Sequence, residues 1–125
     1  MASKRLLIVA HTPSEKTRIM LGAIVRGAQS ATNDRIAIDA KTAFETNSEQ
    51  VIQAQAIILV TTENLGYMSG GLKDFFDRIY YPCLETTQGL PYSLVIRAGQ
   101  DGTGTLPAIG KIATGLRWRA VQKAL

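Results

Sequence analysis

Residues Ala56–Pro82 read AIILVTTENLGYMSGGLKDFFDRIYYP. The opening aliphatic run predicts a strand over Ala56–Thr61. A strand covered on both faces reads as a continuous apolar segment rather than an alternating one. A polar, glycine-containing loop follows and ends at Ser69. Beyond it Leu72, Phe75, Phe76 and Ile79 recur at three- and four-residue spacing, with Lys73, Asp74, Asp77 and Arg78 between them. That pattern predicts an amphipathic helix over about Gly70–Tyr80, stopped by Pro82. Tyr67 and Met68 are expected to stand exposed in the loop, ahead of a Ser-Gly-Gly helix start.

The same strand–loop–helix unit recurs along the chain. Leu6–Ala10 (LLIVA) is a second buried strand. The loop HTPSEKT follows it, then a helix from about Lys16 with Ile19, Met20, Ala23, Ile24 and Ala28 on one face. Arg35–Ile38 reads as a short strand. TNSEQVIQAQA reads as a short helix capped by Asn47 or Ser48. Ser93–Ala98 is another strand, GQDGTGT a glycine-rich loop, and Leu106–Leu116 a helix burying Leu106, Ile109, Ile112, Ala113 and Leu116. The tail RWRAVQKAL is expected to form a fifth, edge strand. Regular alternation of strand and helix implies a parallel sheet with right-handed crossovers and helices on both faces. Ligands of such sheets bind beyond the carboxyl ends of the strands. Three loops reach that edge: His11–Thr17, Thr61–Ser69 and Gly99–Thr105.

Composition narrows the chemistry. The 125 residues suffice for one domain. A hydrophobic share of 46% and a charged share of 19% are those of a globular chain. One cysteine, Cys83, excludes an intrachain disulfide and a multi-cysteine metal site, and one histidine, His11, argues against a zinc centre. The formal charge of +4 is scattered, with no basic block and no RNA-binding aromatic motif, so no nucleic-acid partner is expected. No aliphatic run approaches the length of a membrane span. The apolar run after Lys4-Arg5 is shorter than the roughly 7–15 residues of a secretory signal. These features lead to an expectation of a cytoplasmic protein.

The loop Thr12-Pro13-Ser14-Glu15-Lys16-Thr17 feeds straight into a helix. Its hydroxyls and the free N–H groups of the helix start can surround a phosphate. Equally, Ser14 or Thr17 can serve as an N-cap. Neither a GxGxxG nor a GxxxxGK[ST] pattern is present, which disfavours a dinucleotide Rossmann site and a nucleotide triphosphatase.

TPSEKT resembles the Ser/Thr-x-Thr-x-x-Thr phosphate loop of flavodoxin-like proteins, which holds the phosphate of FMN. ENLGYMSGGLKDFFDRIYYP is similar to the second loop and helix of flavodoxin-like NAD(P)H-dependent FMN and quinone oxidoreductases. IRAGQDGTGTLPAIGKIATGLRWR resembles their third loop and helix. The resemblance implies an α/β three-layer flavodoxin-like sandwich with a parallel sheet of four to five strands in order 2-1-3-4-5. It implies FMN as cofactor, with Thr12, Ser14 and Thr17 and the backbone of Glu15 and Lys16 on the phosphate. Glu63, Asn64, Leu65, Gly66, Tyr67 and Met68 would line the ribityl chain and one side of the ring. Gly99, Gln100, Asp101 and Gly102 would meet the ring's other edge. Classical flavodoxins commonly carry Gly-Asn where this loop has Glu15-Lys16, and Lys16 brings a positive charge.

No side chain need act as acid, base or nucleophile, because the flavin is the redox agent. NADH or NADPH would donate electrons and a quinone, flavin or similar small molecule would accept them. Arg97 is a candidate to face reduced flavin, or else a structural or snorkelling side chain. His11 is expected to make a fixed polar contact, and Cys83 to be structural. Two alternatives stand beside the reductase: a flavodoxin-type electron carrier without substrate turnover, and a non-flavin phosphate-binding or interaction module. Carriers of that type tend to be acidic, whereas the sequence pI is about 9.5, which favours the enzyme. The resemblance further implies a last helix that this sequence lacks. A homo-oligomer covering the bared sheet face, or a shortened form of a longer protein, is therefore expected.

Overall fold

The structure, a computed structural model, describes residues 4–99 and 102–125. Its elements run β1 (Lys4–Ala10), α1 (Glu15–Ala31), β2 (Ile36–Thr42), α2 (Ser48–Gln53), β3 (Ala56–Asn64), β4 (Tyr67–Met68), α3 (Gly70–Cys83), β5 (Pro91–Arg97), α4 (Thr105–Gly115) and β6 (Arg119–Ala120). The sheet order is β2-β1-β3-β5-β6, and every pairing along that path is parallel. The two-residue β4 is an addition to the expected five strands. It folds back antiparallel on the end of β3.

Pleating sends alternate side chains to opposite faces. Leu7, Val9, Ile57, Leu59 and Leu94 turn to one face, where they join Val51 of α2, Leu72, Phe75, Phe76 and Ile79 of α3, and Ile109 and Ala113 of α4. Ile8, Ala10 and Val60 turn to the other and meet Met20, Leu21, Ile24, Val25 and Ala28 of α1. Three helices thus cover the first face, and among the described residues α1 is the only one over the second. There Ile38, Ile58 and Val95 are only partly buried.

The predicted stripe of α3 is completely inside, its four residues no more than 1% exposed. Its polar side forms the i,i+4 pairs Lys73–Asp77 (2.6 Å) and Asp74–Arg78 (2.8 Å). Arg78 also donates to the carbonyls of Ala43 and Thr46, each at 2.6 Å, tying α3 to the loop after β2. At the far end of the helix a buried chain runs from the Trp118 indole N–H to Thr87 Oγ1 (2.9 Å), and from that hydroxyl to the Cys83 carbonyl (2.8 Å). It anchors the return of the chain into β6. The tail then follows β5 further than β6 itself. Val121 N–H bonds to Tyr92 O, Leu125 N–H to Leu94 O, and Ile96 N–H to Leu125 O.

Four expectations need correction. Pro82 lies inside α3, which closes one residue later; in the last turn its missing N–H removes only one bond near the end of the ladder. The buried stripe of α1 includes Leu21 and Val25, while Ile19 is 63% exposed and Ala23 faces solvent. Leu106, on the first turn of α4, is 49% exposed rather than buried. The second strand extends to Thr42 because β1 pairs with it over seven residues.

Truncation of Phe76, buried from every side, leaves a cavity. Phe76→Ala is expected to lose about 3–5 kcal/mol of unfolding free energy, measured by denaturant titration. Burial also pushes the Cys83 thiol up from 9.0 to about 11. The native state therefore holds this proton more tightly than the unfolded chain. Its contribution to stability is intact below pH 9 and is lost as the pH climbs towards 11, where native Cys83 also ionises. Native protein at pH 8 should react with a thiol reagent only as fast as it unfolds; immediate labelling would contradict the burial.

Candidate functional site

The three loops meet the carboxyl edge of β1, β3 and β5. The first begins where His11 N–H bonds to Val60 O at 3.0 Å, extending the β1–β3 ladder by one step. Ser14 then caps α1 in extended backbone, φ −121° and ψ 163°. Its hydroxyl accepts from Thr17 N–H (3.2 Å), and Thr17 Oγ1 accepts from Ser14 N–H (3.0 Å). This is a reciprocal capping box. Thr17 is buried, Thr12 half-buried, and Pro13, Ser14, Glu15 and Lys16 exposed. Of the two roles open to Ser14 and Thr17, the cap is visible.

A cap and an anion cradle are compatible at one helix end. The N–H groups of Glu15 and Lys16 occupy the first two helical positions, which have no acceptor within the helix. The dipole and the Lys16 side chain add positive potential there. A further polar atom waits near the adjacent strand end. Thr62 Oγ1 is buried without a hydrogen-bond partner. By strand alternation it points to the face that carries α1, as Ile58 and Val60 do. A buried hydroxyl with no partner costs free energy unless something fills its place. Two open amides, an exposed hydroxyl and a cation at the helix start fit a phosphate group, and the orphaned Thr62 hydroxyl lies on the same face of the sheet.

The second loop is a tight hairpin. Leu65 (φ 53°) and Gly66 (φ 76°) both lie in the left-handed region, as a two-residue turn of the type I′ family requires. Glu63 then pairs with Met68 and Asn64 with Tyr67. The fold separates the two residues expected to be exposed together. Tyr67 is 40% exposed, whereas Met68 is 2% exposed and belongs to the core. Met68 therefore supports the loop from beneath instead of offering a surface. Thr61 and Ser69 lock the base: Ser69 N–H donates to Thr61 Oγ1 (3.1 Å), and Leu72 N–H to Ser69 Oγ (3.2 Å). Lys73, in the first turn of α3, has its ammonium held above its usual range chiefly by the hydrogen bond to Asp77, against an opposing effect of burial.

The third loop leaves β5 through exposed Arg97 and Gly99. Gln100 and Asp101 lie outside the described residues. Gly102 is buried at φ 71°. Gly104 packs directly on the hairpin, where an added Cβ would collide with the Gly66 carbonyl. Glu63 reaches the same place, and its Oε2 accepts from Thr105 N–H (2.9 Å) and Thr105 Oγ1 (2.8 Å). The second and third loops are therefore in contact, and the Glu63 carboxylate is turned towards α4.

Sequence reasoning missed Phe44. It is 61% exposed, in the loop after β2, and meets His11 edge to face at 5.3 Å and 84°. Both rings crowd Gly71, where a Cβ would come within 2.9 Å of Phe44 and 3.1 Å of His11. His11 was expected to make a polar contact. Its Nδ1 instead has no partner, and the ring is held by aromatic packing. Only the glycine pair at the helix start hinted at this close approach, and Gly70 proves to have open space.

No protein-family model and no curated protein matches the chain. Solved structures are similar to it. A flavodoxin from the domain Archaea superposes with a TM-score of 0.79 at 16% identity, over 95% of this chain and 79% of that one. An oxidoreductase from Corynebacterium diphtheriae gives 0.72 at 18% identity, over 98% and 81%. An NADPH-quinone reductase from P. pentosaceus gives 0.68 at 18%, over 98% and 83%. At this identity the likeness is one of architecture. Together with the strand order, it shows that the chain has the flavodoxin-like fold.

Proposed function

We propose that this protein is an FMN-binding flavoprotein, acting as an NAD(P)H-dependent reductase of a quinone, flavin or similar small acceptor. The observation that carries the reading is the start of α1. Open amides of Glu15 and Lys16 and the Lys16 side chain stand at that helix start, and the orphaned Thr62 hydroxyl lies near the carboxyl end of the neighbouring β3, on the sheet face that carries α1. Thr12, Ser14 and the two amides would hold the phosphate, with Thr17 fixing Ser14 in place. Glu15, exposed beside them, is free to turn to solvent. The hairpin Asn64–Tyr67 and the third loop, including Gly99 to Gly102, would flank the flavin further along the edge. Bound flavin supplies the redox chemistry, taking electrons from NADH or NADPH and giving them to the acceptor. The chain's own work is to bind, to orient and to shield.

The bared side of the sheet supports self-association as part of this reading. Ile58 and Val95 are incompletely covered there, and Ile19 stands out from α1. Sedimentation at micromolar concentration should report a dimer or larger; a stable monomer would remove that part and leave the flavin site untouched.

Added FMN should lose its fluorescence on titration with the protein, and NADH or NADPH should then be oxidised in the presence of a quinone. Undiminished FMN fluorescence would sink the flavoprotein reading, and binding without turnover would leave a carrier. Lys16→Glu should weaken FMN about tenfold to a hundredfold, the range of a hydrogen bond to a charged group. It should leave riboflavin, which lacks the phosphate, unaffected. Equal losses for both ligands would move the phosphate away from α1.

A further inference from the structure

Helix α4 has no cap of its own. Its N-cap position is Gly104, which brings no side chain. The function is supplied by Glu63, 42 residues earlier in the chain, through two hydrogen bonds onto one carboxylate oxygen. Thr105, the residue held, is completely buried. A second fastening lies next to the first, where Gly104 presses on the Gly66 carbonyl with no room for a Cβ. One fastening is polar and the other steric. Together they join the turn of the β3–β4 hairpin to the start of α4.

We infer that Glu63 is a positioning residue, resting on the flavoprotein reading above: its carboxylate fastens the hairpin and the third loop into a single wall before any flavin arrives. Its counterpart groups are the Thr105 amide and hydroxyl, so both acceptor sites on that oxygen are engaged within the protein. A carboxylate at a helix start is further held by the dipole. A wall assembled in advance spares the ligand the entropy of ordering two loops, and preorganisation of this kind is gained as affinity. Loss of the polar fastening would leave the Gly104–Gly66 contact as the tip's link to α4, since Leu65 there is fully exposed.

The test compares Glu63→Ala with Glu63→Gln. Glutamine keeps a carbonyl oxygen in the place of Oε2 and so can accept both bonds, whereas alanine removes them. Hydrogen exchange is measured on the ligand-free proteins, and FMN affinity on the same preparations. Glu63→Ala should speed exchange of the Thr105 amide about tenfold or more, since local opening governs that rate. It should weaken FMN by a similar factor, about tenfold, through the ordering it now demands. Glu63→Gln should stay within about threefold of wild type in both. Unchanged exchange in Glu63→Ala would overturn the inference, as would faster exchange with wild-type FMN affinity. Glu63→Gln with weakened FMN and normal exchange would also overturn it, making the carboxylate a direct flavin contact. Failure of the wild-type protein to bind FMN would refute the flavin reading instead, and the exchange comparison would still decide the fastening.

Discussion

Everything at the carboxyl edge hangs from the burial of β1 and β3 on both faces. Leu7, Ile8, Val9, Ile57, Leu59 and Val60 are each no more than 1% exposed, so neither strand can slip by one residue without exchanging its two sets of neighbours. Register is thereby settled along the β1–β3 ladder, and β5 is set against β3 by buried Leu94 on one face, with Val95 only partly covered on the other. The ends of three strands then come to one edge in steps, β1 ending opposite Val60, β5 opposite Thr62, and β3 running on to Asn64. The loops that leave them inherit their spacing from the sheet rather than from contacts of their own. Only beyond that point do local devices take over, the capping box at Ser14 and the buried Thr61–Ser69 pair among them.

β1 and β3 were legible because their apolar runs are continuous, and α3 because Leu72, Phe75, Phe76 and Ile79 keep helical spacing throughout. The hairpin was hidden for a definable reason. Its turn is Leu65-Gly66, without the Asn or Asp that usually announces a two-residue turn, and Leu65 takes a positive φ that its side chain disfavours. Without the hairpin, Met68 reads as a loop residue. With it, pairing of Met68 to Glu63 turns the thioether inward. Leu106 shows the opposite error. Its spacing suits the buried face of α4, but that face is centred on Thr105, Ile109 and Ala113, and Leu106 stands on its flank.

The candidate site was legible as three loops at one edge of the sheet and opaque as contacts. Side-chain partners separated by 42 positions, as Glu63 and Thr105 are, leave no periodic trace. The same holds for Phe44, whose neighbours His11 and Gly71 come from two other elements. What composition and spacing do reveal is which backbone ends are brought to one edge. Which side chains are consumed there in holding the loops together, and which remain open to a ligand, is decided by packing. Ser14 and Glu63 illustrate the split. Ser14 serves a cap yet keeps its hydroxyl at the surface, whereas Glu63 spends its acceptor on the protein.

The tail along β5 has a practical bearing. Its backbone is knitted to Leu94 and Ile96 through Leu125, and it travels in the same direction as β5. A peptide or fluorophore fused after Leu125 would therefore emerge on the edge where the three loops lie, close to Arg97. A fusion placed ahead of Lys4, at the opposite edge of the sheet, would leave that mouth clear. The polarity of one parallel strand thus dictates which end of the molecule can be tethered to a surface or a reporter without standing in front of the site.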